Sequence, residues 1–278
     1  MKVVLSRKGF DSTAGSYPSP VIDGIPLSLP IPDNKDKIKY SDLIYKNGKS
    51  YFDLMTDLGM DKYDKNSICH LDPDLKFDIL EKRENTIEWR GTLGQMAQAQ
   101  KHLENKGVGR NDLFLFFGWF KETENKNGKI NFKRNSKYPD GFHLIFGYLE
   151  IGEIIKTATQ DPPLWLQNHP HFSREGVRKD KSNTVYIAKK KLALRQNQAG
   201  FGIFKFSEKL ILTKEGHPKS HWDIDKIKEL RNLSISYHAP QSWKEDYFQS
   251  AGRGQEFVIE ENERSKKWAE NLLKNQII

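Results

Sequence analysis

The sequence predicts an α+β fold: a single domain over residues 1–278, with a largely antiparallel β core, open or barrel-like, flanked by helices. Two aromatic-rich apolar runs, 112–120 and 141–151, must be buried and pair naturally as neighbouring strands. The shorter runs Val3-Val4-Leu5, 183–188 and 202–206 continue the β pattern, and segments of helical period lie between and after them. With 278 residues, 36% hydrophobic and 12% aromatic, the chain can bury one substantial core.

Composition excludes several classes. Cys69 is the one cysteine, so neither an intramolecular disulfide nor a zinc site built on several thiolates can form. No apolar run approaches the roughly 20 residues of a membrane span, and Met1-Lys2 leads into a strand without a signal-peptide core, so a cytoplasmic location is expected. A formal charge of +8, from 45 Lys+Arg against 37 Asp+Glu, favours a polyanionic partner. Much of the excess sits in 121–137 and 174–191, where solvated loops would account for it equally well.

The first strand opens into Ser6-Arg7-Lys8-Gly9-Phe10-Asp11-Ser12. Here Gly9 permits a tight turn, Ser6, Ser12 and Ser19 offer hydroxyls, and Arg7 and Lys8 suit phosphate or carboxylate. Asp11 can orient a cation or act as a base, although the same residues also make ordinary connectors. The glycine spacing matches neither a P-loop nor a dinucleotide fingerprint. Residues 21–36 carry Pro26, Pro30 and Pro32 and read as an ordered loop; 40–45 and 50–58 read as short helices, the second stopped by Gly59.

Residues 68–75 place His70, Asp72 and Asp74 within five positions. That grouping suits a divalent metal on Asp72 and Asp74, an acid/base pair with His70, or an Asp-Pro-Asp turn. Residues 92–106 read as a helix ended by Gly107, with Gln95, Gln98 and His102 on one stripe fit for a base edge or a ribose, or for solvent. In the aromatic strands, Phe117, Trp119 and His143 are candidate stacking residues, although strand aromatics usually belong to the core. Asn127-Gly128 marks a hairpin between those strands.

Residues 162–169 read as a short lid carrying Trp165. His169-Pro170-His171 has no supporting neighbours in the sequence, and no residue is assigned as a metal ligand. Residues 210–212 read as a strand, and 222–231 and 262–274 as helices, the last packing Trp268 and Leu272 inward. In 250–257, glycines flank Arg253 and Glu256 follows. If this segment shares a pocket with the N-terminal loop, Arg7, Lys8 and Arg253 would hold phosphate, with Asp11 or Glu256 as base. A structural ion pair is the alternative. Catalytic-triad, HExxH and zinc-deaminase patterns are absent.

The run 2–11, the prolines of 18–20 and 28–32, His70-Leu71-Asp72-Pro73-Asp74, the stretch from Gly94-Gln95 through His102-Leu103, the aromatic run 112–120 and Arg253-Gly254-Gln255-Glu256-Phe257 together resemble the third of the nucleotide-modification-associated domain families of phages and bacteria. The resemblance spans almost the whole chain and implies a link to systems that handle modified bases or nucleotides, while bringing no defined reaction. The expected function is an enzyme, a transferase or hydrolase, acting on a nucleotide or modified base. Catalysis would fall to Lys8, Asp11, Asp72 and Glu256, and binding to Ser6, Arg7, Ser19, Gln95, Gln98, His102, Trp119, His143 and Arg253, with Mg2+ an option as cofactor. The expected partner is a nucleotide or nucleic acid, DNA before RNA, together with proteins of a modification or defence system. The alternatives are a non-enzymatic reader of modified nucleic acid and a scaffold for such systems.

Overall fold

A computed structural model describes residues 1–278 except 47, 82, 84–86 and 135–136. Among the described residues its centre is a ten-stranded mixed sheet. Six strands form the main path: β1 (Val3–Arg7), β2 (Thr92–Gln95), β3 (Leu113–Lys126), β4 (Phe142–Lys156), β5 (Thr184–Ala188) and β6 (Glu256–Ile259). Their spatial order is β6-β1-β3-β4-β5-β2. The aromatic runs pair as expected, antiparallel from Phe142 opposite Phe120 to Glu150 opposite Leu113, with a bulge between Ile145 and Gly147. β1 lies parallel to β3 and antiparallel to β6, so the sheet is mixed with mainly antiparallel ladders. Continuous apolar runs suit strands covered on both faces, and Leu113 to Phe117 are fully buried.

The sheet is curled and does not close into a barrel: among the described residues no backbone ladder joins β2 to β6. Side chains bridge that gap, because Gln95 on β2 reaches Glu256 on β6. The Asn127-Gly128 turn forms as its sequence demands. Both residues have positive φ, 55° and 84°, which a two-residue hairpin of this kind requires, and Lys129–Phe132 folds back on the end of β3.

The described residues form five α-helices: α1 (Tyr51–Asp57), α2 (Ala97–Asn105), α3 (Pro170–Ser173), α4 (Glu175–Arg178) and α5 (Glu263–Leu272). α1 begins in a capping box, in which Ser50 Oγ accepts from the Asp53 N–H and the Asp53 carboxylate accepts from the Ser50 N–H. It belongs to a second apolar cluster built on Phe10, Leu29, Tyr40, Met55, Cys69 and Leu71, which packs the chain between β1 and β2 into a layer of its own. The proline-rich stretch is ordered within that layer: Ile31–Asp33 pairs with Ile68–His70. α5 buries Trp268, Ala269 and Leu272.

Several elements depart from the sequence reading. Residues 92–106 are not one helix. Thr92 to Gln95 pair with Ile187 to Thr184 as the edge strand β2, and helix begins only at Ala97, because the backbone groups of Thr92 and Leu93 are used by the sheet. Residues 222–231 form a strand end at Trp222, held opposite Phe248, and two 3-10 turns. The first of these turns is capped by Asp223, whose side chain accepts from the Asp225 N–H. At 210–212 a 3-10 turn and a single bridge from Ile211 to Leu144 replace the expected strand. At 40–45 one 3-10 turn precedes a short strand.

The join between β1 and the loop after it rests on Gly118. The Lys8 N–H donates to the Phe117 carbonyl at 2.9 Å, and a Cβ on Gly118 would meet the Lys8 carbonyl oxygen at 2.5 Å. Gly118→Ala should therefore lower unfolding stability by about 1–3 kcal/mol, measured by chemical denaturation; an unchanged midpoint would show that the loop yields freely.

Candidate functional site

The end of β1 and the start of β6 lie side by side, which places Ser6 opposite Glu256. The Glu256 carboxylate is 1% exposed. Its Oε1 accepts from Ser6 Oγ at 3.0 Å, Lys8 Nζ at 3.0 Å and Gln95 Nε2 at 2.6 Å, while Oε2 is buried with no hydrogen-bond partner among the described residues. Gln95 Oε1 in turn accepts from the Met96 N–H. Arg7 leans the other way: its guanidinium donates to the carbonyls of Ala251 and Gly252 and lies against the Phe117 and Phe257 rings.

Next to this group is a cluster of imidazoles around one carboxylate. Asp72 lies two residues beyond the strand Ile68–His70, and His169 and His171 lie at the start of α3. His70 Nε2 and His171 Nε2 stand 4.0 and 3.9 Å from Asp72 Oδ2. On the other oxygen, Asp72 Oδ1 accepts from the Gly94 N–H at 2.7 Å and faces His169 Nε2 at 3.7 Å.

Hydrogen bonds set the tautomers. His70 Nδ1 is 2.6 Å from the Asp36 carboxylate and therefore carries a proton, so that in the neutral ring Nε2 holds the lone pair. Asn183 Nδ2 donates to the carbonyls of His171 and Val177, so its Oδ1 must be the acceptor facing His171 Nδ1. His171 Nε2 is then also a lone-pair nitrogen. His169 differs: its Nδ1 accepts from the His171 N–H, so Nε2 carries the proton and points at Asp72 with no hydrogen-bond partner.

Burial raises the Asp72 carboxyl to about 6 against the opposing pull of Lys8 and His70. Burial lowers His171 to about 4, with His70 adding to the effect, and holds His169 well below its usual value. For His70, burial works downward, but the Asp36 hydrogen bond and the Asp72 charge outweigh it and raise its pKa.

Lys8, His70, Asp72, Gln95 and His171 line one polar cleft of about 440 Å3, with Arg7 and Arg174 at its sides. Arg174 donates to Asp33 at 3.2 Å and Asp36 at 3.4 Å. An apolar chamber of about 220 Å3, walled by residues such as Leu27, Tyr51 and Leu71, adjoins the cleft and shares Gly9 and Asp72 with it.

A family model described as nucleotide modification associated domain 3 matches residues 2–260. The chain belongs to that family. No curated protein and no solved structure matches it significantly. The matched span of this nucleotide modification associated domain 3 protein contains the entire cleft and ends before α5. Membership links the protein to nucleotide modification and leaves the reaction open. Among the described residues no helix is long and apolar enough to cross a membrane.

The cleft gathers some of the residues expected from the sequence. Lys8, Asp72 and Gln95 line it with Arg7, and Ser6 and Glu256 are buried beneath, joined to Lys8 and Gln95 through the Glu256 carboxylate. Asp11 lines the rim, but its Oδ1 accepts from the Thr13 N–H, the Thr13 hydroxyl and the Ala14 N–H, so this oxygen closes its own turn. Arg253 is exposed, while its neighbours Gly252, Gly254 and Gln255 line the cleft.

Other candidates lie elsewhere. Ser19 Oγ accepts from the buried Leu29 N–H. Gln98 is exposed on α2, and His102 contacts Ser236 and Tyr237. Trp119 donates to the Asp140 carbonyl under the Lys219 ammonium, and buried His143 accepts from the Trp222 indole. Asp74 is paired with Arg83 at 2.6 Å. The structure adds Asp36, His169, His171, Arg174 and Asn183. His169-Pro170-His171 was visible as a motif, but the carboxylate it faces, Asp72, is more than ninety residues away in the chain, and nothing local marks Asp36 or Asn183.

Lys8 and Glu256 are a buried pair, with side chains 8% and 0% exposed. Removing one partner strands the other, so Glu256→Ala should cost about 3–5 kcal/mol in denaturant unfolding. The double variant with Lys8→Met should recover part of that loss, and simple additivity of the two changes would argue against the coupling.

His143 gives a pH signature. Burial, reinforced by Arg7 and Lys219, holds its imidazole well below the usual 6.5, so the folded chain keeps it neutral while the unfolded chain gains a proton below about 6.5. Its contribution to stability is complete above that pH and is lost as the pH falls below it. Unfolding midpoints should drop from pH 7 to pH 5, and His143→Asn should flatten the drop by up to about 1.4 kcal/mol per pH unit; parallel curves would refute the assignment.

Proposed function

We propose that this protein is an enzyme acting on a nucleotide or a modified base, transferring a group to it or hydrolysing one from it. The observation that carries the reading is the juxtaposition, in one open cleft of a nucleotide-modification family member, of the Glu256-anchored Lys8 ammonium and the buried Asp72 with its facing imidazoles. An ammonium has three donors. Lys8 gives one to Glu256 and has others to offer a phosphate oxygen. The Glu256 contact fixes where that charge stands, which limits the ordering cost of binding.

Arg7 and Arg174 extend the positive rim, each held by protein acceptors. The reacting atom of the substrate would then lie over Asp72, His70 and His171, and its less polar end in the adjoining apolar chamber. Buried, perturbed titratable groups in a cleft are the usual mark of a reaction centre. A purely binding role draws less support, because Phe117 is 0% and His143 5% exposed and neither can stack on a base, and the Lys219 ammonium stands over the Trp119 ring.

Titration calorimetry with nucleoside mono-, di- and triphosphates and short oligonucleotides tests this. At least one phosphorylated ligand should bind, and Lys8→Met should weaken it about tenfold or more, the worth of a charge-assisted hydrogen bond. Incubation products analysed by mass spectrometry should show a changed nucleotide. Silence from every ligand, or an affinity indifferent to Lys8→Met in the folded variant, would defeat the proposal.

A further inference from the structure

We infer that His70 Nε2, His171 Nε2 and the Asp72 carboxylate bind one divalent transition-metal ion at the floor of the cleft. The inference deepens the proposed function by naming the cofactor class of the same site. It stands first on geometry. The three donor atoms lie within 4.8 Å of one another, with both nitrogens directed at the same oxygen, Asp72 Oδ2. Around a tetrahedral ion with bonds of about 2.0–2.1 Å, donor atoms sit about 3.3 Å apart. Separations of 4.0 and 3.9 Å reach that value through side-chain movements of roughly half an ångström.

The outer contacts make the same assignment independently. Metal-bound histidines donate their other ring N–H to a carboxylate or carbonyl, which orients the ring and fixes the lone pair. Asp36 does this for His70, and the Asn183 carbonyl oxygen does it for His171. The second oxygen of Asp72 is held by the Gly94 N–H. His169, 7% exposed, directs an otherwise unpartnered Nε2–H at that same oxygen. Gly94 itself leaves no room for a side chain, since a Cβ there would meet the His171 ring at 2.1 Å.

Two imidazoles with one carboxylate select an ion such as Zn2+, Co2+, Fe2+ or Mn2+ over Mg2+, which prefers oxygen ligands and water. His70, Asp72 and His171 all line the cleft, so the coordination positions they leave open face the space where substrate would lie. A bound ion there would polarise a substrate oxygen or lower the pKa of a bound water. The neighbouring Asp33, Asp36 and His70 grouping is not a second cation site, because the Arg174 guanidinium already lies against both carboxylates.

Cobalt titration of the metal-stripped full chain, without nucleotide, supplies the test. One equivalent of Co2+ should bind with ligand-field absorption in the visible, be displaced by Zn2+, and resist millimolar Mg2+. His171→Gln and His70→Gln should abolish the signal, and Asp36→Asn, which leaves all three donor atoms in place and loosens the hold on His70 and on Arg174, should weaken binding about 10–100-fold. His102→Gln should leave it intact. Circular dichroism confirms folding, and Asp36→Asn decides the matter if a ligand variant does not fold. Absence of a 1:1 cobalt complex, displacement by Mg2+, or full affinity in His70→Gln or Asp36→Asn would overturn the inference. Because nucleotide is absent, that failure is separate from failure of nucleotide binding.

Discussion

A buried carboxylate holds together the two edges of an open sheet. Glu256 opens β6, Gln95 closes β2, and in strand order these are the far ends of the path. Among the described residues no backbone ladder closes the sheet, and one carboxylate oxygen takes its place by accepting from Ser6, Lys8 and Gln95. A charge in so dry a position is tolerated only with a partner and hydrogen bonds. That requirement draws β1, β2 and β6 to a common point and makes the cleft a consequence of how the sheet curls.

The rest of the site follows from that convergence. β2 is an edge strand, so the Gly94 N–H is available to the Asp72 carboxylate from the layer packed against it. The absence of a side chain at Gly94 lets α3 bring His171 close against the strand. The N-terminal layer contributes His70 and Asp36 through the short Ile31–Asp33 and Ile68–His70 pairing. The candidate centre therefore draws its donors from separate parts of the chain, each stiffened by its own packing, and a preorganised set of donors binds a ligand at low ordering cost.

Particular residues show why some of this was legible and some was not. The runs around Phe114 and Leu144 could only be strands, because so much contiguous aromatic and aliphatic surface must leave water. Asn127-Gly128 could only be a tight turn, because its positive φ values are cheap for those residues. Residues 92–106 misled because Leu93, Met96, Gln100 and Leu103 keep a helical period, while the backbone of Thr92 to Gln95 is claimed by β5, a contact no local pattern displays. The family resemblance carried the link to nucleotide modification, and the matched span supports it.

The sequence by itself determined the α+β class, the pairing of the two aromatic strands and the presence of cations and a carboxylate in glycine-bearing segments at both ends of the chain. Those properties depend on composition and short-range periodicity, and they hold wherever the rest of the chain goes. Tertiary structure alone decided that Lys8 and Glu256 are partners, that Asp11 closes its own turn and Asp74 is spent on Arg83, and that His169-Pro170-His171 meets Asp72. The reason is physical: a side chain's chemistry is set by the desolvation and hydrogen bonds around it, and here those are supplied by near neighbours for Asp11 and by residues up to 250 positions away for Glu256.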